Sequence, residues 1–403
     1  MRKSLIRALL ICLALCFGTQ FATSAQSTPT PRPTPTRRPA TVQLWHSWQG
    51  VDVDALTAQI ALFNKAYPEI TVQPRAIEGD LRAQVLDAIK SDIGPDLFVG
   101  PSDWLAGLVD ARRVAGLGSR LNDADRAQLA PSAWKLTSSG DVSYGVPESL
   151  DTVALYYNSA LVKDEELPKT AADLLATKPA IMFDFYTTAG LYFGRGGGLF
   201  DVNGLPSLRS SSAALLDYLK SLREAFPLYK AAGLFLPGRI PVVADRGFRD
   251  GQTPFLVDGS WKAADMRVEL GDKLRITTLP PIAEGKPWTT LIRAQVYYLN
   301  INARESDAAT LFLKFLLTEE AQRLRAAVPG RTPTNFKAVS EANAAFLAQV
   351  QLGTPVPLLN GLWNVLDQAV ADVTIRGIDA EIVMRSAMDA ADRLALPKAT
   401  PTP

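Results

Sequence analysis

Residues 41–100 read TVQLWHSWQGVDVDALTAQIALFNKAYPEITVQPRAIEGDLRAQVLDAIKSDIGPDLFVG. The start, 41–45, is rich in β-forming residues. Residues 53–67 place Leu56, Ile60 and Phe63 at helical spacing. A second short strand is predicted at 70–72. The next stretch, 81–90, sets Leu81, Val85 and Ile89 on one helical face, and 96–99, after Gly94-Pro95, predicts a third strand. A β-α-β-α-β order implies a parallel sheet with helices on both faces. Ligands of such sheets sit beyond the carboxyl ends of the strands. The turns after the first and third strands carry Trp48, Ser102 and Asp103, which makes these residues ligand candidates.

Working outward, the N-terminus has a different character. Arg2, Lys3 and Arg7 precede an apolar run, 8–17, too short to span a bilayer comfortably. Thr23-Ser24-Ala25 then offers a small-residue cleavage site, so 1–25 is expected to be an export signal. Its removal lowers Lys+Arg from 42 to 39 against an unchanged 41 Asp+Glu, a net charge of −2. Both cysteines, Cys12 and Cys16, lie in this segment, so no disulfide and no thiolate site is expected after cleavage. Leu13-Ala14-Leu15-Cys16 resembles a lipid-attachment site, but Leu15 is larger than the small residue expected before the cysteine; free export is favoured over an anchor at Cys16. Residues 26–40 alternate Pro and Thr and are expected to form a solvated linker, and 397–403 a disordered tail.

Further along, 213–226 is amphipathic and expected to end at Pro227. A strand is predicted at 295–302 and a helix at 306–317. Thr318 is expected to cap the following helix, and 359–374 and 378–394 to form closing helices. With 47 % apolar residues the chain can bury sizeable cores, and its near-balanced charge excludes the single-sign field that grips nucleic acid.

Catalytic machinery is hard to assemble. His46 is the sole histidine and reads as a strand-end polar residue. No cofactor or metal site is expected, because with one His and no Cys after cleavage only carboxylates could complete a ligand set. The run 194–198 lacks the GxxxxGK[ST] pattern and reads as a tight turn. Asp103 and Asp151 fall at cleft turns. They suit either a glycosidase pair or acceptors for sugar hydroxyls, and spacing does not separate the two. Tryptophan carries the most information. Trp48, Trp104, Trp261 and Trp363 all lie beside turns, where flat indoles suit the apolar faces of sugar rings.

The order of motifs resembles the extracellular solute-binding proteins of family 1, typified by maltose/maltodextrin-binding proteins. TVQLWHSWQG is similar to the family's first strand and ligand loop. GPDLFVGPSDWLAGLVDARRVAGL, YGVPESLDTVALYYNSALV, FLVDGSWKAADM, RTPTNF and PLLNGLWNVLDQAV follow in family order. The resemblance implies an α/β, two-lobed periplasmic-binding-protein-like fold of type II, with a hinge and a ligand cleft. Lobe 1 would cover 41–150 and 296–338, and lobe 2 151–295 and 339–396. It further implies a non-catalytic monomer that captures a carbohydrate, expected to be an oligosaccharide, for the permease of an ABC importer. Asp103 resembles a sugar-binding aspartate. Asp151 stands where a glutamate occurs, Tyr186 resembles an aromatic ligand residue, and Trp261 and Trp363 resemble stacking tryptophans. Gly100 stands where a lobe 1 stacking tryptophan is found, and Trp104 replaces an arginine. An exported glycosidase and a binder of a non-sugar solute are the rival readings.

Overall fold

A computed structural model describes residues 38–231, 245–355 and 360–395. The expected signal segment, most of the linker and the 397–403 tail lie outside the described residues. The elements β1 (Ala40–His46), α1 (Val51–Ala66), β2 (Ile70–Ala76), α2 (Leu81–Lys90) and β3 (Leu97–Pro101) follow in the expected order. Ala40, assigned above to the linker, already pairs with Ile70. β1 is parallel to both β2 and β3. The side chain of Asp80 accepts the Ala83 N–H at 3.0 Å and so caps α2, fixing the turn after β2.

Two long strands complete the middle of this seven-stranded sheet; they run antiparallel to each other and to their long neighbours, and the short Thr354–Pro355 lies parallel, beside Leu291–Leu299. Gly145–Asp151 pairs with Leu291–Leu299, which pairs on its other side with β3. Alternation sends adjacent side chains of Leu291–Leu299 into different cores. Tyr297 joins Val42, Leu44, Phe63 and Phe312 on one face; Tyr298 joins Val85, Ile89 and Phe98 on the other.

The second lobe holds a four-stranded sheet in the order Leu274–Thr277, Val153–Asn158, Phe255–Gly259, Ala180–Ile181. Leu155 and Tyr157 face a core shared with the helices Phe185–Phe193, Ser212–Ala231, Asn360–Thr374 and Ala380–Ala395. Tyr156 faces the opposite side, against Phe346. The Ser212–Ala231 helix runs through Pro227, where the sequence reading ends it. Phe226 and Tyr229 are buried around Phe183, at ring separations of 5.3 and 5.0 Å, and this packing offsets the helical bond that proline removes.

The chain passes between the two sheets at Thr152 and through 278–290; after Thr332–Pro333 it returns to the larger sheet at Thr354–Pro355 before the helix Asn360–Thr374 packs in the second lobe's core. The expected lobe change at 295–296 falls inside a continuous strand; Leu291–Leu299 belongs by its pairing to the larger sheet. The buried Thr152 hydroxyl lies 2.7 Å from Thr290 Oγ1 and 3.1 Å from the Leu291 carbonyl, which ties the first two passages together.

Candidate functional site

A cavity of about 300 Å³ opens at the carboxyl ends of β1, β2 and β3. Ser47 and Trp48 line it from the turn after β1, Gly79 and Asp80 from the turn after β2, and Gly100 and Trp104 from the end of β3. Trp261 faces them from the second lobe, while Gln295 comes from the strand Leu291–Leu299 of the larger sheet and Arg331 from the residue just before Thr332–Pro333. Both lobes therefore contribute walls, at the place where a parallel sheet binds ligands.

Trp261 is the front of an aromatic series. Its ring centroid lies 5.7 Å from that of Tyr186, which lies 5.9 Å from Trp363; Phe185 backs Trp363 at 5.7 Å. The Arg293 guanidinium sits 4.6 Å from the Trp261 centroid and 5.1 Å from that of Tyr186, within cation–π range. The helix carrying Tyr186 is held by two carboxylates. Asp184 accepts the Thr187 N–H at 2.7 Å and Asp367 the Phe185 N–H at 2.8 Å. Burial pushes the Asp184 carboxyl up to about 6.

Below the cavity lies a buried cluster of three arginines and three carboxylates. Arg331 donates to Asp52 at 2.7 and 2.8 Å and stands 3.5 Å from Asp151. Arg325 donates to Asp52 at 2.9 Å and to Glu148 at 2.8 Å, with its guanidinium 4.0 Å from the Trp48 ring centroid. Arg293 lies 3.6 Å from Asp151. Burial alone would push Asp52 up, but the Arg331 and Arg325 guanidiniums outweigh it and hold the carboxyl low. Glu148 is raised, because burial there outweighs Arg325. Formal charge is balanced across the cluster, and of its members only Arg331 lines the cavity, where Asp80 is the one lining carboxylate among the described residues; one charge of each sign suits a neutral polar ligand.

The family model of the bacterial extracellular solute-binding proteins matches residues 58–351. The chain belongs to that family. The maltooligosaccharide ABC transporter solute-binding lipoprotein of Streptococcus pneumoniae is 26 % identical over 75 % of this chain and 75 % of its own. The galactooligosaccharide-binding protein of Bacillus subtilis is 24 % identical over 82 % of this chain and 84 % of its own. Among solved structures, the GacH receptor of Streptomyces glaucescens superposes with a TM-score of 0.78 at 18 % identity, covering 89 % of this chain and 99 % of that one. The fold is therefore that of the two-lobed maltose-binding-like proteins.

Within this solute-binding protein the residues singled out from sequence fall into three groups. Trp48 and Trp261 line the cavity. Tyr186 and Trp363 extend the Trp261 series away from it. Asp103 is half-buried beside the cavity-lining Trp104, and its charge is among those that favour protonated Arg293. Two residues have other employment. Asp151 is fully buried: it accepts from Ser260 Oγ at 3.0 Å and Gln295 Nε2 at 2.8 Å, so its carboxylate serves the hinge rather than facing the cavity. The Ser102 hydroxyl is likewise buried and accepts the Ala294 N–H at 3.0 Å. His46 is buried, takes the Trp48 N–H on Nδ1 at 3.2 Å, and has its pKa lowered by burial. Sequence reasoning did not assign Asp80, Gln295 or Arg331 to the site. Asp80 carries a readable signal, a cap following glycine at a strand-to-helix turn; Gln295 and Arg331 carry none, because distant pairing places them.

Proposed function

We propose that this solute-binding protein captures a neutral oligosaccharide between its lobes and delivers it to the permease of an ABC importer. The observation that carries the reading is the meeting of Trp48, Trp104 and Trp261 in one cleft above a charge-balanced polar floor. Indoles match the apolar faces of sugar rings, and amide, carboxylate and guanidinium groups match ring hydroxyls. The names of the Streptococcus and Bacillus relatives support the same ligand class. Binding without hydrolysis is part of the proposal. Asp151, one half of the alternative catalytic pair, lies buried under Gln295, Ser260 and two arginines, which supports binding over hydrolysis. The chain is further proposed to act as a monomer, exported through 1–25 without lipid at Cys16, since Leu15 is too large for the anchoring pattern.

A thermal-shift screen against a glycan panel tests the proposal, because a ligand that binds only the folded state raises the melting temperature. An oligosaccharide is expected to stabilise the protein and to be recovered intact after long incubation. Stabilisation by a charged or metallic solute and by no glycan refutes the sugar reading; released product refutes the absence of catalysis.

A further inference from the structure

The two lobes build the same device at the ends of unrelated strands. In the first lobe β3 runs into the single turn Ser102–Trp104; in the second, Phe255–Gly259 runs into Ser260–Lys262. Each turn begins with a buried serine tied to a crossing strand: Ser102 Oγ accepts from Ala294 N, and Ser260 Oγ donates to Asp151, both at 3.0 Å. Each strand end has a carbonyl pinned by a buried tyrosine hydroxyl. Tyr298 donates to the Pro101 carbonyl at 3.1 Å, and Tyr156 to the Gly259 carbonyl at 2.6 Å. Each tryptophan then folds back onto a glycine. A Cβ on Gly100 would stand 2.3 Å from Trp104 Cε3, and one on Gly259 would stand 2.2 Å from Trp261 Cη2. Neither glycine has a positive φ, so the backbone does not demand glycine at either place; the indole does. Both rings are half-buried and line the same cavity from opposite lobes.

We propose that Trp104 is the first lobe's stacking wall, paired with Trp261, and that the two indoles grip one pyranose ring of the ligand between them. The inference rests on the sugar reading above and adds to it the residue that supplies the opposing wall. Gly100 acts through Trp104: it is a positioning residue, leaving the space in which the indole lies. A substitution there should weaken binding although glycine has no side chain to contact a sugar.

The test uses the full chain and whichever of maltotriose, cellotriose, mannotriose and galactotriose stabilises the wild type most, followed by calorimetric titration. Trp104→Ala is expected to raise Kd about tenfold or more, as loss of a buried aromatic anchor does, and Trp104→Phe to retain most of the affinity. Gly100→Ala is expected to raise Kd several-fold in the wild type and to have no further effect when Trp104 is already alanine. Trp104→Ala and Trp261→Ala combined should lose less than the product of the single losses, because both walls hold the same ring. A Trp104→Ala protein that binds within twofold of wild type, while Trp261→Ala is weakened tenfold, overturns the proposal and leaves the sugar reading standing. A Gly100→Ala effect that persists undiminished in the Trp104→Ala background overturns the positioning role. A wild type that none of the four stabilises is titrated with the best glycan of the wider panel, and one stabilised by no glycan overturns the sugar reading and this proposal with it.

Discussion

Replacing Asp151 with alanine removes a carboxylate that no solvent reaches and that four groups share: Ser260 Oγ at 3.0 Å, Gln295 Nε2 at 2.8 Å, Arg331 at 3.5 Å and Arg293 at 3.6 Å. The cluster then holds three arginines against Asp52 and Glu148, with one positive charge uncompensated. Stranding a buried charge in this way costs about 3–5 kcal/mol. The two lost neutral-donor bonds fall largely within that figure, since the same rearrangement relieves them all. Asp151→Asn keeps an acceptor for Ser260 or Gln295 and should cost less, isolating the charge. Chemical denaturation of the sugar-free proteins at pH 7 measures both differences. Were Asp151 instead a surface acceptor for sugar hydroxyls, alanine would leave stability nearly intact and reduce affinity. A sugar-free Asp151→Ala protein within about 0.5 kcal/mol of wild type, the range of ordinary surface changes, refutes the structural role.

Trp261→Ala is expected to weaken sugar binding by about 2 kcal/mol, roughly thirtyfold by calorimetry, whereas Trp363→Ala, packed on Phe185 and Tyr186, should cost about 3 kcal/mol of stability measured without ligand. Asp184→Asn keeps the cap on the Thr187 N–H and removes a charge that burial disfavours. The native state of the wild type binds this proton more tightly than the unfolded chain, at about 6 against the ordinary aspartate value of 3.8. The carboxylate's penalty is therefore complete above pH 6, at most about 3 kcal/mol, and gone below the unfolded value. The variant should melt higher than wild type at pH 8, with a gap that shrinks at pH 4.5; a gap independent of pH refutes this. Saturating sugar should contract the protein in small-angle scattering, as hinge closure does, and an unchanged profile counts against closure.

The opening of the fold was legible because its information is local. Each strand and helix from β1 to β3 carries its own period, and parallel pairing follows from the alternation of the two. The crossing strands were not legible in the same way. Gly145–Asp151 finds its partner at Leu291–Leu299, and nothing near Asp151 announces that Gln295, 144 positions away, will close over its carboxylate. Ser102 misled for the same reason: a hydroxyl in a ligand turn is spent on the Ala294 N–H of a strand 192 positions distant. The aromatic positions divide: a turn after a strand end places Trp48 and Trp261 at the cavity, while Trp363 packs behind Tyr186. Trp261 needed no distant information. Gly100 read as a missing wall, because sequence alone does not show that Trp104 lies across it.

The bond between Thr152 and Thr290 bears on how many ways the lobes can move. Two independent linkers would let one lobe swing, slide and twist against the other. Here Thr152 and Thr290 meet in a 2.7 Å hydrogen bond, and the strands Gly145–Asp151 and Leu291–Leu299 that flank them are paired in the larger sheet, so these two passages are expected to flex along one line. At this pair of passages, relative motion is expected to approach a single angular coordinate. A ligand that closes such a joint freezes little else, and the disorder lost on capture is correspondingly small. Cutting the stitch with Thr152→Val would leave the cleft chemistry untouched, yet widen the set of open shapes through which every encounter must pass.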